Sequence, residues 1–116
     1  MGDFGREDTI SDSGVDLTVM MGTFDAAAGR EADLAGVLAR YVVVSRTEEG
    51  CRNIDLVASL LIPGRFVVYE KWDSPQSQAT HMAGATMTEM AEEASPLLNG
   101  PPELGLFVAV SAHDLL

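Results

Sequence analysis

Val15, Leu17, Val19 and Met21 alternate with Asp16, Thr18, Met20 and Gly22, a period of two that predicts a β-strand over residues 15–24. In the second half of this segment Val19-Met20-Met21 is apolar on both faces, the pattern of a strand covered on both sides. Past Ala28-Gly29 the period lengthens. Leu34, Val37, Leu38, Tyr41 and then Val44 or Ser45 recur at three- and four-residue spacing, which predicts a helix over 31–46. The β-branched run Val42-Val43-Val44 opposes this, but propensity is a weaker effect than a period sustained over such a window. Gly50 then offers a turn position where φ can be positive. Two apolar-rich segments, 53–61 and 65–72, flank Ile62-Pro63-Gly64 and read as an antiparallel hairpin. Ser74-Pro75 supplies an N-cap and a proline at the first helical position, so a helix starts directly after Trp72. Thr86-Met87-Thr88-Glu89 has the form of a capping box, with Met87, Met90, Ala91 and Ala94 as the stripe behind it, a break near Gly84 and a stop at Pro96. Leu104, Leu106, Val108 and Val110 alternate with Phe107 and Ala109 in a last strand over 104–113.

The order βαββαβ predicts an α+β domain of ferredoxin-like architecture, an antiparallel sheet with its helices on one face. Val67, Tyr69, Met20, Phe24 and Phe107 make the opposite face apolar as well. A homodimer packed sheet on sheet satisfies that face most simply. Ahead of this domain, taken as residues 15–116, the segment 1–14 carries Asp3, Glu7, Asp8 and Asp12, three glycines and no apolar period. It reads as a disordered acidic tail, because it has too little to bury against its ordering entropy.

Charge narrows the partners. Of 116 residues 18 are acidic and 7 basic, a net charge of −11 that repels phosphate backbones and anionic lipid, so neither nucleic acid nor a membrane is expected as a partner. The apolar stretch 56–63 is far short of the roughly 20 residues that span a bilayer, and no basic region precedes an apolar one at the start of the chain. The single cysteine, Cys51, cannot form an internal disulfide, which fits a reducing compartment; a cytoplasmic location is the expectation.

The chain has no CxxC, HExxH, Walker loop or GxSxG elbow, and His81 and His113 are not at metal-ligand spacing. Arg52, Arg65, Glu70 and Lys71 read as scattered charges, solvated or weakly paired. A more specific pairing comes from strand parity. Phe66, Val68, Glu70 and Trp72 share one face, and His81 lies about two turns into the helix that follows, so Trp72 and His81 can meet at one cavity mouth. An indole that stacks and an imidazole that exchanges a proton near neutral pH suit a flat aromatic ligand. The alternative is a core tryptophan beside an exposed helical histidine. Met20, Met21, Met82, Met87 and Met90 pose the same choice, between an adaptable ligand pocket and core filler.

Glu49-Gly50-Cys51, the segment Pro63-Gly64-Arg65-Phe66-Val67-Val68-Tyr69-Glu70-Lys71-Trp72-Asp73-Ser74, then His81-Met82-Ala83 and Met87-Thr88-Glu89-Met90 resemble the antibiotic biosynthesis monooxygenase family over about residues 15–113. The resemblance implies a ferredoxin-like α+β fold that dimerises into an α/β barrel, with a pocket between sheet and helices in each subunit. It implies oxygenation of an electron-rich quinol, aromatic or polyketide by dioxygen with no cofactor and no metal, although the same scaffold also serves isomerases, haem-degrading enzymes and binding modules. Carried over residue by residue, Trp72 would stack on the substrate and His81 would transfer the proton. Arg65 or Glu70 would assist polar groups at the rim, although only Trp72 and His81 rest on matched motif positions; Met82 and Met87 are expected at the substrate for their flexible thioethers. Thr86 stands where relatives often carry a second histidine, and Ile54 where an aromatic is common. The haem-degrading branch has an asparagine near Gly22 and a histidine near Met90, so the resemblance does not extend to haem.

Overall fold

A computed structural model describes residues 17–112. The tail read at 1–14 and the end of the last predicted strand, with His113, lie outside the described residues. Strand β1 (Thr18–Asp25) leads into helix α1 (Glu31–Ser45), then β2 (Cys51–Ala58) and β3 (Arg65–Trp72). Helices α2 (Pro75–Met82) and α3 (Ala85–Ala94) follow, then a 3-10 turn (Ser95–Leu97) and β4 (Glu103–Val108). The sheet order is β2-β3-β1-β4, with every neighbouring pair antiparallel. β1 and β2 are therefore parallel to each other, as are β3 and β4. Each such pair is joined by helix that crosses an intervening strand, as a parallel connection requires. This is the ferredoxin-like α+β fold that the order of elements predicts.

Several boundaries differ from the expectation for identifiable reasons. β2 begins at Cys51 and ends at Ala58: Ser59 N–H still donates across to the Arg65 carbonyl at 2.9 Å, but its Oγ accepts from the backbone N–H of Leu61 and of Ile62, which turns the chain into a hairpin loop over residues 59–64. The predicted capping box does not form. Gly84 is the N-cap, Thr86 already lies inside α3, and Thr88 Oγ1 donates back to the Gly84 carbonyl instead of capping forward. In α1 the buried stripe closes on Ser45, while Val44 faces out at 49% exposure. β4 ends at Val108, although the Ala109 N–H still donates to the Leu17 carbonyl.

Register decides the two sheet faces. Thr18, Met20, Gly22 and Phe24 stand opposite Trp72, Glu70, Val68 and Phe66. Phe24, Val68 and Trp72 pack with Leu34, Leu38, Tyr41 and Val42 of α1 and Met90 and Ala94 of α3 to form the core. Met20 and Phe24 thus belong to the helix-covered face, not the open one. Gly22 explains the turn of Phe24 inward, since a Cβ there would lie 2.9 Å from the Phe24 ring and 3.1 Å from Leu104. The open face keeps Val67, Tyr69 and Phe107 as expected, joined by Met21 and Val57.

Candidate functional site

Two features on the helix side of the sheet bear on function: a buried polar cluster at the α1–α2 end of β3, and an apolar cavity toward β4. The cluster is built from both sides. On β3, Glu70 and Trp72 are two residues apart and so face the same way. Trp72 Nε1 donates to Glu70 Oε1 at 2.9 Å. From the helices, Tyr41 of α1 donates its hydroxyl to Glu70 Oε2, and His81 of α2 places Nε2 2.6 Å from the same hydroxyl oxygen. The imidazole stacks on the Trp72 indole, with centroids 4.5 Å apart and planes 28° apart. Its other nitrogen, Nδ1, lies 2.7 Å from Glu48 Oε1 in the loop before β2. The sequence puts these groups here for local reasons: Ser74 Oγ caps α2 by accepting from Ser77 N–H at 3.1 Å, and Pro75 opens the helix, so His81 arrives on its inner side.

Trp72 and Glu70 are fully buried and His81 is 2% exposed. A buried carboxylate is costly unless its oxygens are hydrogen-bonded, and both Glu70 oxygens are. Donor and acceptor matching then limits where the protons sit. With Tyr41 donating to an ionised Glu70, His81 Nε2 must donate to the Tyr41 oxygen and Nδ1 to Glu48, which makes the ring an imidazolium between two carboxylates, 3.7 Å from Glu70 Oε1. Shifting one proton to Glu70 and reversing the Tyr41 hydroxyl gives a neutral ring with the same total. The four groups therefore share a fixed set of protons along one hydrogen-bonded line, from partly exposed Glu48 to sealed Glu70. Burial, with the negative charge of Glu70 and a hydrogen bond to it, pushes ionisation of the Tyr41 phenol far up, so Tyr41 stays protonated. Burial likewise pushes up the Cys51 thiol, helped by the Glu70 and Glu48 charges, which disfavours its thiolate.

The cavity is separate. It measures about 520 Å³ and lies between the sheet, at Phe24 and Leu104, and helix α3, at Met87, Met90 and Ala91, with Leu98 and Pro101 closing its end. That volume falls within the range of small-molecule sites, and no titratable side chain lines it among the described residues.

The structure thus brings Trp72 and His81 into contact, but places neither on the wall of this cavity. Glu70 is not a rim residue: it sits beneath the helices as the acceptor for Tyr41 and Trp72. Arg65 stands at the other end of β3, about 23 Å along the strand from Trp72. There it forms a two-pronged ion pair with Asp25 at 2.7 and 2.8 Å, and its hydrogen bonds hold the Asp25 carboxyl below the usual range. Of the two methionines expected at substrate, Met87 lines the cavity and Met82, half-buried, does not. Sequence reasoning missed Tyr41 and Glu48 as members of the cluster. Tyr41 carried a signal, since a tyrosine in a buried helical stripe needs a partner for its hydroxyl; Glu48 carried none, because only the fold brings its loop to α2.

The comparisons with known proteins agree with this architecture. No functionally curated protein matches the chain in sequence. Among solved structures, Rv0793 from Mycobacterium tuberculosis superposes with a TM-score of 0.79 at 19% identity, covering 84% of this chain and 99% of that one. A candidate antibiotic biosynthesis monooxygenase from Deinococcus radiodurans superposes at 0.77 with 25% identity, covering 85% and 98%. A similarly described protein from Nitrosomonas europaea gives 0.77 at 17% identity, covering 81% and 90%. At the level of sequence, the profile described as antibiotic biosynthesis monooxygenase matches residues 18–93, from the first residue of β1 almost to the end of α3. A match over that much of the chain places this protein in the antibiotic biosynthesis monooxygenase family.

Proposed function

We propose that this protein is a cofactor-independent monooxygenase that takes an electron-rich aromatic, quinol or polyketide into the sheet–helix cavity and oxidises it with dioxygen. The observation that carries the reading is the cavity itself: about 520 Å³ of apolar wall with two flexible thioethers, suited to a flat hydrophobic molecule. A cavity of about 150 Å³ holds one benzene ring, so this one takes roughly two or three fused rings. The chemistry needs no outside reductant. When a ring CH₂ of an anthrone-like substrate becomes a carbonyl, the carbon gives up two hydrogens and four electrons. One oxygen atom enters the new C=O and the other leaves as water with both hydrogens. The protein's part is to exclude bulk water, hold the ring and let the substrate ionise. Trp72 and His81 serve this reading as positioning residues behind the wall, through Tyr41 and Glu70. We also propose that two copies pair by their open sheet faces, and that the protein acts in the cytoplasm; no helix among the described residues is long and apolar enough to cross a membrane.

A second reading is a module that binds the same class of molecule without oxidising it, or an isomerase or lyase on the same scaffold. It is favoured by the lack of any acid or base among the described residues lining the cavity. Dioxygen uptake by chelator-treated, flavin-free protein separates the two readings when measured against hydroquinones, naphthoquinols and anthrones with spontaneous oxidation subtracted. Uptake that saturates with substrate is expected. Calorimetric binding without uptake would transfer the assignment to the second reading.

A further inference from the structure

Met90 lines the 520 Å³ cavity together with Phe24, Met87 and Leu104, and it also lines a second space. This is a partly open cleft of about 130 Å³ between α1 and α3, walled by Tyr41, Val37, Thr86 and Glu89 and flanked by the solvent-exposed ion pair of Arg40 with Glu93 at 2.7 Å. Met90 is 5% exposed, so its side chain is the wall shared by the two spaces. On the far side of that wall is Tyr41, whose hydroxyl joins Glu70 and His81.

We propose that Met90 is a movable partition that sets the length of ligand the cavity accepts and admits the hydroxyl-bearing end of a longer ligand to the cleft lined by Tyr41 and Thr86. The inference rests on the reading that the cavity takes an aromatic molecule. An unbranched thioether with three rotatable bonds swings aside at less cost than a branched side chain, and its soft sulfur packs well against a ring edge. The space gained, about 130 Å³, is close to the roughly 150 Å³ that holds one benzene ring, so opening the partition lengthens the accepted ligand by about one ring. The cavity proper is lined by apolar side chains except for Ser95, whereas the cleft adds the hydroxyl of Thr86 beside the charged Arg40, Glu89 and Glu93; the Tyr41 hydroxyl itself stays with Glu70 and His81. The ligand class that uses both is a fused aromatic with a hydroxyl on its terminal ring.

Calorimetric titration with phenol, 2-hydroxyanthracene and 2-hydroxytetracene, on the full chain and on Met90→Ala and Met90→Ile variants, tests this, because the closed cavity already takes up to roughly three rings and only a fourth needs the cleft. Met90→Ala, which removes the wall, is expected to raise affinity for the four-ring ligand relative to the three-ring one by about tenfold or more, the usual effect of pocket-size changes. Met90→Ile, which replaces it with a stiff branched one, is expected to lower that ratio. Should Met90→Ala fail to fold, the Met90→Ile arm decides alone. A four-ring to three-ring ratio that is the same in every folded protein would overturn the partition while leaving the ligand class intact. A series that none of the proteins binds would overturn both.

Discussion

Tyr41 shows how one hydroxyl ties together groups that arrive from three elements. It donates to Glu70 on β3 and meets His81 on α2, so Tyr41→Phe leaves a buried carboxylate oxygen without its partner, a loss of about 1–3 kcal/mol. The same residue sets a pH limit. Its ionisation is raised in the folded state above the value of about 10 for an unfolded tyrosine. The folded protein then holds a proton the unfolded chain gives up, so the Tyr41 contribution is whole below about pH 10 and falls as pH rises beyond it, by about 1.4 kcal/mol per pH unit. Urea midpoints measured from neutral to alkaline pH should show this decline, and Tyr41→Phe, though weaker at neutral pH, should flatten it; parallel curves would contradict the assignment. Gly50 is the other residue on which the cluster depends. Its φ of +86° and the 2.2 Å from a built Cβ to Ser77 Oγ leave no room for a side chain, and its carbonyl accepts from the Asp73 N–H at 2.8 Å. Gly50→Ala should cost about 2–5 kcal/mol, combining left-handed strain with overpacking. Because Glu48 sits two residues earlier, a lowered melting temperature should come with loosened packing around His81.

Helix α2 is eight residues long, too short to hold its shape alone, and depends on its cap and on docking. Ser74→Ala should cost about 1 kcal/mol, readable as a shift of the denaturant midpoint, and Ser74→Asp should recover most of it because aspartate caps equally well. The sequence announced this start, since Ser-Pro before a polar run is a local signal read by the backbone alone. At the start of α3, Thr86-Met87-Thr88-Glu89 has the residues of a capping box with Thr86 as N-cap, yet the chain turns helical two residues earlier, with Gly84 as N-cap and Ala85 as the first helical residue. Local signals compete at such a point, and the packing of Met87 and Met90 over the sheet decides between them. Strand parity was legible throughout β3, because a period of two leaves only one choice of face, and it put Trp72 beside His81. It could not say that Glu70, on the same face, would be sealed under α1.

Across the whole molecule, the helices cover β2, β3 and β1 but leave β4 with Leu104, Leu106 and Val108 about half exposed. On the other face Met21, Val57 and Phe107 are also exposed, and Leu60 and Leu61 stand free in the hairpin loop. These exposed apolar side chains are what the proposed pairing of two copies would cover. Sedimentation equilibrium at micromolar concentration should give about twice the 12.3 kDa chain mass, and Phe107→Glu should return it to the chain mass. With a net charge of −11 on each chain, association should tighten as salt screens the repulsion. A single 12.3 kDa species at all salt concentrations would refute the paired sheets.

The order of elements, the two sheet faces of β3 and the helix start at Ser74 follow from the chain read alone, because each depends on periodicity or on contacts within a few residues; the family is legible only through the resemblance of segments 63–74, 81–83 and 87–90 to known members. Three things were decided only by tertiary structure: the recruitment of Glu48 and Tyr41 to His81, the burial of Glu70, and the separation of that cluster from the apolar cavity. These depend on how far α1 and α3 lie over the sheet and on which loop meets which helix. Such distances arise from packing between residues tens of positions apart, and no local pattern encodes them.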